Sequence, residues 1–522
     1  MVKKYFLVLP LFYLSIDATA GVFFVDPVHG SMSNDGSAAS PWKTLEEVFE
    51  NNLIETQSYS PLPYSENSIL VPKNAGAPVK SGDTLMLRDG YHGTIFYRGI
   101  YNNDYITIMN QSGHEPMLGN IFISAGSRFI FDGLTITPEA APSFFYSQLF
   151  RLESHGYHGP SREVIVRNCQ LRGISDASGW GLKEWNSVGS CIKIDGNAST
   201  VENCHCLNID EGINISADSC IVSGNSIVNF AGDGMRGQGS YLLFEYNLVK
   251  NCYDIDDNHD DGFQAFTSPG YPLVGNVLRG NVILNWEDPD QPFRGTLQGI
   301  GCFDGPYVDW IIENNIVAVN HYHGISLYGA ENCRIINNSV IDLDSVNGPN
   351  GTWIMVNDHK NGTPSSGCVI QNNLSFGFSY GQETDFLNNL LIAGYQNFVN
   401  ASAVDFHLKP GSDAIDMGYN QGAPPIDIER NPRPVGGVVD VGAYEFQGLP
   451  PCTENTMTLS GIYLGSEAHQ IKQWLSTSGI VTIKASASQL FTVGSHAEFS
   501  SGFEVENNAI FEIRNGDCAL SP

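Results

Sequence analysis

The stretch Tyr253–Gln264 carries the densest set of side chains in this chain that could do chemistry. Five acidic residues and one histidine fall within twelve positions, and the stretch ends in an Asp-Gly-apolar-Gln step. Carboxylates beside an imidazole can transfer protons, and carboxylate oxygens can hold a divalent cation. A solvated acidic turn is the structural alternative. Because Asp-Gly or a similar pair followed by an apolar residue recurs on both sides, we interpret the stretch as one rung of a stacked structure.

Two columns of recurring positions support that interpretation. The first follows short motifs that end in Asn or Cys, and most of its spacings are 21 to 23 or 34 to 35 residues. The shorter spacing suits one coil of a parallel β-helix, and the longer one suits a coil with an inserted loop. Asn at a repeated turn tolerates the left-handed conformation and can bond to the same amide one rung away. The column contains Cys169, Cys204, Asn225, Asn247, Asn281, Asn315, Asn338, Asn373 and Asn389.

The second column begins successive strands, with spacings of 21, 22, 28, 37, 25 and 27 residues. In parallel strands of this kind the apolar residue of each motif points inward and its neighbours point outward. The two columns together predict an all-β chain folded as a right-handed parallel β-helix. The members are Cys191, Gly212, Gly234, Gly262, Gly299, Gly324 and Gly351.

Outward residues at equal positions of neighbouring rungs lie about 4.8 Å apart. The second column therefore predicts a groove wall with one acidic row and one basic and amide row. The row before the column contains Ser190, Glu211, Asp233, Asp261, Gln298 and His323. The row two residues after it contains Lys193, Asn214, Arg236, Gln264, Gly301 and Ser326. Insertions after Asn247 and Asn281 are expected to border this groove.

The coil, over residues 22–447, resembles right-handed parallel β-helix polysaccharide lyases, uronan epimerases and glycoside hydrolases of the pectin-lyase-like superfamily. The segment 257–263 is similar to the Asn-Ala-Asp-Gly-Phe segment of family 9 pectate lyases, in which aspartates bind Ca²⁺. Asp260 and Asp261 match that pattern, but Phe266 stands where the family has its lysine base. The same segment is similar to the Asp-Pro-His-Asp segment of mannuronan epimerases, with Asn258 in place of proline.

The resemblance implies β-elimination on an acidic, uronate-containing polysaccharide as the function, with C5 epimerisation as an alternative. Both reactions remove the C5 proton of a uronate, which needs a base and a group that neutralises the carboxylate. The predicted catalytic residues are His259 or Lys193 as the base, Arg236 at the carboxylate, and Asp261. Predicted substrate-binding residues are Gln264, Glu211 and His323. The predicted ligands of a Ca²⁺ cofactor are Asp233, Asp257 and Asp260, with Asp261 beside them.

Two further functions are open at the level of the sequence. The Asp260-Asp261 pair, Asp233 and the segment 321–326 resemble motifs of polygalacturonase-like hydrolases, in which two carboxyl groups act as acid and base. A non-catalytic carbohydrate-binding or adhesin-like protein is the third function, because a fold does not fix a function. The structural alternative to a catalytic His259 is a turn histidine bonded to a neighbouring aspartate.

Composition limits the partners. A net charge of −30 excludes a general nucleic-acid-binding role, because phosphate contacts need clustered Lys and Arg. No stretch after the N-terminus approaches the 18 apolar residues of a membrane span, and the chain is expected to act as a monomer.

Most of the eleven cysteines lie in apolar runs and are expected to be buried thiols. Cys452 and Cys518 are the predicted disulfide, and Cys204-His205-Cys206 lacks the second pair that a zinc site needs.

The ends of the chain are predicted to differ from the coil. Residues 1–20 resemble a secretory signal, with Lys3 and Lys4 before an apolar run and a small-residue cleavage site, so a secreted protein is expected. The mature β-helix domain is predicted over 21–447, with a short helix after Pro41 that caps the first coil. Its closing segment is predicted over 404–447. After a linker, a small all-β module is predicted over 452–522.

Overall fold

The computed structural model describes residues 20–448, except 269, 289 and 344–350. In the C-terminal stretch it describes 454–463, 466–483, 488–493, 496–499, 503–505 and 510–515. The predicted signal over 1–20 and the predicted Cys452–Cys518 disulfide lie outside these residues, apart from Ala20. Of the described helices, none is long and apolar enough to cross a membrane.

Short parallel strands make up three long sheets, each of which receives one strand from nearly every coil. The first sheet has 13 strands: Val22–Val25, Thr84–Leu87, Ile106–Asn110, Phe129–Asp132, Ile165–Arg167, Thr200–Glu202, Ile221–Ser223, Leu243–Glu245, Val277–Arg279, Ile311–Glu313, Arg334–Ile336, Cys368–Gln371 and Thr384–Leu387. The second has 12: Gly90–Tyr91, Pro116–Leu118, Thr135–Ile136, Gln170–Arg172, His205–Ile209, Ser226–Phe230, Leu248–Cys252, Val282–Leu284, Ile316–Val319, Ser339–Asp342, Leu374–Ser375 and Leu390–Leu391.

The third sheet, called the groove sheet below, has 11 strands in chain order: Ile95–Ile100, Ile121–Gly126, Phe150–Glu153, Ile192–Ile194, Ile213–Ile215, Met235–Gly237, Asp260–Phe266, Leu297–Asp304, His323–Tyr328, Trp353–Asn357 and Gly377–Tyr380. Apolar residues such as Ile213, Met235, Phe263 and Ile300 are fully buried between the sheets and form the core. The chain is therefore a right-handed parallel β-helix, and the predicted fold is confirmed.

Smaller elements lie at the ends and edges of the coil. The helices are Leu45–Glu50 and Leu182–Trp185, with 3-10 turns at Pro138–Ala140 and Ala401–Ala403. Small sheets contain Thr56–Ser60 with Ile69–Lys73, Ser161–Arg162 with Gly196–Asn197, Leu273–Val274 with Tyr307–Val308 and Ala330–Glu331, and Phe398–Asn400 with Asp405–Leu408. C-terminal strands are Glu454–Tyr463, Ser466–Ile483, Ser488–Val493, His496–Glu498, Phe503–Val505 and Ile510–Asn515.

The short helix predicted after Pro41 is present. Thr44 is its N-cap and accepts a hydrogen bond from the backbone N–H of Glu47, while the Thr44 hydroxyl donates to the Glu47 carboxylate. The first of these bonds satisfies one of the backbone amides that a helix start leaves unpaired. Leu45, Val48 and Phe49 are buried.

By compactness the chain divides into two units. The first comprises residues up to Arg334 together with Val340–Cys368 and Gly377–Thr384. The second comprises Ile335–Ser339, Val369–Phe376 and the residues from Asp385 onward. Every candidate site residue belongs to the first unit. The predicted boundaries at 447 and 452 stay predictions.

The predicted Asn column forms a buried hydrogen-bonded ladder. The Asn247 Oδ1 atom accepts from the backbone N–H and the side-chain amide of Asn225, at 2.9 and 3.0 Å. Asn247 donates in the same way to Asn281, and Asn281 to Asn315. The left-handed residue of each turn is the one before the ladder, as at Asn168, Asn203 and Asn314 with φ of 52° to 55°. The expectation that the ladder residue itself is left-handed is therefore wrong.

Replacing Asn281 with Ala is expected to lower the free energy of unfolding by about 2–4 kcal/mol. The substitution removes this partner from the backbone N–H of Asn247 and the carbonyl of Phe244, while the side-chain amide of Asn247 keeps its bond to Val222. Each buried group left unpaired costs about 1–3 kcal/mol. Denaturant unfolding measures the loss. The matched control is Asn103→Ala, because that side chain is exposed, and a shift as large as that of Asn281→Ala would contradict the ladder's role.

The glycine column marks places where two backbones approach too closely for a side chain. A Cβ atom at Gly212 would lie 2.0 Å from the carbonyl oxygen of Gly234. The strands keep the predicted register from Ile192 to Ile325, but the last predicted member is wrong. A bulge between His323 and Ile325 places Trp353, and not Gly351, in register with the preceding rung.

One pair of cysteines departs from the expected buried thiols. Cys191 and Cys206 form a disulfide across 15 residues, whereas the other described cysteines are free and buried. Cys191 occupies the column position that holds glycine in the next rungs, and its side chain is turned into the coil toward the neighbouring sheet. The disulfide therefore links the start of the groove-sheet strand Ile192–Ile194 covalently to the strand His205–Ile209 of the 12-stranded sheet.

Candidate functional site

The predicted outward row is a continuous column on the groove sheet. Each member is in register with the next, and the two register shifts in these strand pairs fall elsewhere, after Ala265 and between His323 and Ile325. The column runs through Phe96, Phe122, Arg151, Lys193, Asn214, Arg236, Gln264, Gly301, Ser326, Met355 and Ser379. The acidic row borders it, since the backbone carbonyls of Glu211, Asp233 and Asp261 each accept a bond from the rung before.

Arg236 stands at the centre of the acidic row. Its Nε atom donates to Asp233 Oδ2 at 3.0 Å, its Nη2 atom also contacts that oxygen, and Nη2 reaches Glu211 Oε1 at 3.0 Å. Burial raises the pKa of Asp233 to about 6, and the nearby Asp261 adds to the effect while Arg236 opposes it. These bonds hold the guanidinium rigidly on the groove floor and leave its Nη1 atom for a further acceptor.

His259 and Asp261 form an imidazole–carboxylate pair on the next rung. His259 Nδ1 lies 3.4 Å from Asp261 Oδ2; the histidine side chain is 62% exposed and the aspartate side chain is fully buried. The same oxygen accepts a bond from Gln264 Nε2 at 3.0 Å. Because a carboxylate only accepts, the neutral imidazole carries its proton on Nδ1 and turns the Nε2 lone pair outward. The bond to Asp261 raises the pKa of His259, which partial burial opposes.

His259 and Arg236 therefore lie on the same side of the coil. Arg236 and Gln264 are in register on adjacent strands, and Gln264 bonds to the carboxylate that holds His259. The Asp233 carboxylate also accepts a bond from the backbone N–H of Asp261 at 3.1 Å. Glu211, Asp233, Arg236, His259, Asp261 and Gln264 thus form one connected set.

An open cleft of about 390 Å³ adjoins the imidazole. Its walls are His259, Gln298, Phe303, His321, Tyr322 and His323. The Tyr322 ring is 42% exposed and contacts the ring of Trp353 with centroids 4.9 Å apart. Exposed rings of this kind suit stacking on a sugar.

His323 is held as a neutral donor in this cleft. Its Nδ1 atom lies 3.3 Å from Trp353 Nε1 and 3.0 Å from Ser326 Oγ. Because the indole N–H only donates, Nδ1 accepts and the ring proton lies on Nε2. Burial lowers the pKa of both His321 and His323 to about 4, so neither is charged at neutral pH.

A second cleft of about 200 Å³ shares His259 and Phe303 with the first. It is lined by His259, Gln264, Ala265, Phe266, Phe303, Asp304 and Lys360. Lys360 Nζ pairs with Asp304 Oδ1 at 2.7 Å, and that pairing lowers the pKa of Asp304. His259 and Phe303 therefore line both clefts.

Among the described residues, three buried acceptors of the groove have no hydrogen-bond partner. They are Asn214 Oδ1, Asp261 Oδ1 and Gln298 Oε1. An unpaired buried polar atom costs about 1–3 kcal/mol. Because each atom exposes less than 1 Å² of surface, a ligand hydroxyl reaches it only if neighbouring side chains move.

A small apolar cluster anchors the turn that carries His259. Ile255 is buried with Trp185, Val188 and Ala231, and the ring of Tyr253 stacks on Trp185 with centroids 4.3 Å apart. Phe293, from the next insertion, packs against the same cluster. The two predicted insertions therefore border the groove and hold the turn in place.

The predicted calcium ligands do not come together. Asp233 is held by Arg236, Asp257 is exposed in the turn, and Asp260 is buried and accepts a bond from the Cys252 thiol at 3.3 Å. Burial raises the pKa of Asp260 to about 8, so its carboxyl group is mainly protonated at neutral pH. Within the described residues no group of three His, Cys, Asp or Glu side chains is arranged to hold a metal. The carboxylates present do not fit Ca²⁺.

Lys193 is also apart from the imidazole. It is in register with Asn214, which precedes Arg236, so it stands three strands from Gln264, or about 14 Å. This distance removes Lys193 as a base for the same sugar. His323 shares the cleft with His259, as the groove row predicted.

Sequence reasoning did not assign roles to Phe303, Trp353, Asp304 or Lys360. Phe303 lies two positions after Gly301 of the outward row. Alternation along the strand could therefore have predicted that the Phe303 side chain lies on the same face. Trp353 is displaced from its expected register by the bulge, and Lys360 and His359 reach Asp304 from a later loop. Long-range contacts of this kind leave no periodic trace in the sequence.

The comparisons with known proteins support the fold. A family model for the right-handed beta helix region matches residues 157–340, and a model described as periplasmic copper-binding protein (NosD) matches residues 293–422. No curated protein matches this chain.

Similar solved structures include pectate lyase Pel9A, at 16% identity and a TM-score of 0.45, covering 82% of this chain and 97% of that one. The PL6 family alginate lyase AlyGC has 14% identity and a TM-score of 0.41, covering 83% and 70%. The A-module of mannuronan C-5 epimerase AlgE4 of Azotobacter vinelandii has 11% identity and a TM-score of 0.37, covering 59% and 87%. At these identities the likeness is one of fold.

Proposed function

We propose that this protein cleaves an acidic polysaccharide by β-elimination at a uronate. The observation that carries the proposal is the exposed His259 imidazole, oriented by the buried Asp261 carboxylate on the rung beside Arg236. An imidazole with one nitrogen held by a carboxylate presents its other nitrogen as a base. Arg236 supplies the positive charge that a carbanion next to a carboxylate needs.

The proposed reaction uses residues of the chain alone. His259 Nε2 takes the proton from C5, and the electron pair spreads into the uronate carboxylate, which bonds to Arg236. The pair then forms the C4–C5 double bond while the C4–O4 bond breaks. The His259 imidazolium returns its proton to the leaving O4, so atoms and charges balance. Delivery of a proton from water to the opposite face of C5, with the His259 imidazolium losing its own proton to solvent, would give epimerisation instead.

A carbohydrate ligand is supported by the walls of the groove. Phe303 and Tyr322 line the cleft that adjoins His259, and the ring of Trp353 packs against Tyr322. The disulfide suits an oxidising compartment, so we propose that the protein acts outside the cytoplasm.

Turnover of alginate, pectate and glycosaminoglycans separates the candidate reactions. Ultraviolet absorbance of an unsaturated uronate supports elimination, C5 inversion without cleavage supports epimerisation, and reducing ends without absorbance support hydrolysis. No turnover on the panel would leave a binding protein. Because the groove carboxylates are bonded within the protein, elimination is expected to survive EDTA. Loss with EDTA and recovery with Ca²⁺ would contradict the proposed reaction without a metal.

The pH dependence of elimination is expected to reflect the His259–Asp261 pair. A raised pKa keeps the proton on His259 to higher pH, so the active neutral form appears only as pH rises above its ordinary value of 6.5. In Asp261→Asn the carboxylate is lost and the pKa of His259 falls, so the acid limb of kcat/KM moves to lower pH. An unchanged limb in this variant would show that another group is the base.

Glycoside hydrolysis is the second candidate, favoured by one observation. Asp233 and Asp261 are buried carboxyl groups on adjacent strands, and burial raises the pKa of both. A carboxyl group with a raised pKa can act as a general acid. Both groups, however, lie behind Arg236 and His259, which places them farther from a ligand than the imidazole.

A further inference from the structure

We propose that the first four strands of the groove sheet bind the extended chain of an anionic polysaccharide, well away from the reacting sugar. The surface is made by Phe96, Arg98, Phe122, Arg151 and Lys193, called the upstream platform below. The inference rests on the proposed function for its substrate class and extends it to the length of chain that the protein recognises.

The charge of the outward column carries the inference. Of its eleven members from Phe96 to Ser379, Arg151, Lys193 and Arg236 are cationic and none is acidic. The chain as a whole has 56 acidic and 26 basic residues. The acidic excess of the chain is therefore absent from this column.

An outward column of the 13-stranded sheet gives the contrast. From Asp132 to Glu313 it runs through Asp132, Arg167, Glu202, Ser223, Glu245, Arg279 and Glu313. Its two arginines pair with their acidic neighbours, as Arg167 does with Asp132 at 2.8 Å. That face pairs both of its arginines, whereas Lys193 of the groove sheet has no ion pair among the described residues.

Arg151 and Lys193 form the centre of the platform. They are in register on adjacent strands, where like charges repel and destabilise a sheet. Arg151 has one carboxylate partner, Glu153 at 2.5 Å, while Lys193 is exposed with no carboxylate within 4.0 Å among the described residues. Anionic groups of a ligand would relieve the repulsion and occupy the free donors.

Exposed aromatic rings continue the platform toward the N-terminal coils. The Phe96 ring is 53% exposed and lies 4.8 Å from that of Phe122 between centroids. The guanidinium of Arg98 lies 4.9 Å from the Phe96 ring, and that of Arg151 lies 4.9 Å from the Phe122 ring. Rings edged by cations offer both a stacking face and a charge, which suits a sugar that carries a carboxylate or sulfate group.

The position of the platform sets a length for the ligand. Phe96 and Gln264 are six strand steps apart, or about 29 Å at the spacing of adjacent strands. A chain that reaches both the platform and His259 must span that distance. Short oligosaccharides can reach the imidazole without the platform, so the platform favours cleavage inside long chains.

Affinity electrophoresis of full-length protein in gels with alginate, polygalacturonate or neutral methylcellulose tests the inference without turnover. The variant Arg151→Gln/Lys193→Gln is expected to bind the anionic polymer about ten- to a hundredfold more weakly, as for loss of charged hydrogen bonds. Methylcellulose is expected to retard neither protein. Raising the salt concentration from about 0.01 to 0.15 M should weaken wild-type binding, because it shortens the screening length from about 30 to 8 Å.

The matched control is Arg167→Gln, which removes one cation from the 13-stranded sheet and should bind anionic polymer like the wild type. The inference fails if the wild type binds neither anionic polymer, if it binds methylcellulose equally, or if the double variant binds like the control. Loss of binding in the double variant, without turnover by the wild type, would sustain the platform and refute the proposed reaction. Turnover with unchanged binding in that variant would sustain the reaction and refute the platform.

Discussion

His259→Gln is expected to lower kcat for elimination by about 10² to 10⁴-fold, the usual contribution of a general base. Gln keeps a polar side chain near Asp261 but has no lone pair of comparable basicity. Because the histidine side chain is 62% exposed and contributes little packing, thermal unfolding is expected to change little. The initial rate of absorbance increase on the polymer that the wild type cleaves gives the comparison.

The chain offers a close control for this substitution. His29 Nδ1 lies 3.3 Å from Asp26 Oδ2, and its side chain is 79% exposed, so it repeats the imidazole–carboxylate contact outside the groove. His29→Gln is expected to keep full activity. Equal losses in the two variants would show that the effect is one of folding, and full activity in His259→Gln would remove His259 as the base.

Arg433→Met is expected to lower the free energy of unfolding by about 3–5 kcal/mol, the largest stability loss that we predict. The Arg433 and Glu445 side chains are both fully buried, with Nε and Oε2 3.0 Å apart. Burial lowers the pKa of Arg433 and raises that of Glu445, so each charge depends on its partner. Removing the guanidinium leaves the Glu445 carboxylate buried beside Asp440. Denaturant unfolding monitored by circular dichroism measures the loss.

Removing the Glu445 charge as well tests whether the unpaired charge causes the loss of stability. Arg433→Met/Glu445→Gln is expected to regain part of the lost stability, because neither buried charge is then left alone. Arg162→Met is the surface control, since that side chain is 45% exposed and lies 3.7 Å from Glu163. Its effect is expected to stay within about 0.5 kcal/mol. A double variant no more stable than Arg433→Met would indicate that packing, and not charge, dominates.

The periodic part of the structure could be predicted from the sequence because each rung repeats the same two constraints. The Asn ladder needs an amide at one corner, and the close backbone approach at Gly212 and its equivalents excludes side chains at another. Those constraints fix the register, and the register places Arg236 beside Gln264. The fold and the groove column follow from them.

Departures from the repeat could not be predicted in this way. The bulge at His323 shifts the register of Trp353, and its ring then packs against Tyr322 and His323 of the cleft wall, a contact that no spacing in the sequence encodes. The disulfide joins Cys191 to a residue of the neighbouring sheet, a distance that no spacing rule encodes. Asp260 and Asp261 are adjacent in sequence, yet alternation along the strand turns one toward Cys252 and the other toward His259.

The Asn ladder also bears on how such a chain can grow. Each amide accepts from the rung before it and donates to the rung after it, so the contacts of Asn225 with Asn247 are repeated between Asn247 and Asn281. A duplicated coil would meet the same partners on both sides, whatever loop it carries. Gene segments of one coil could thus be copied in tandem with little penalty, and every copy would extend the groove by about 4.8 Å. The number of sugars held would then evolve separately from the chemistry at His259.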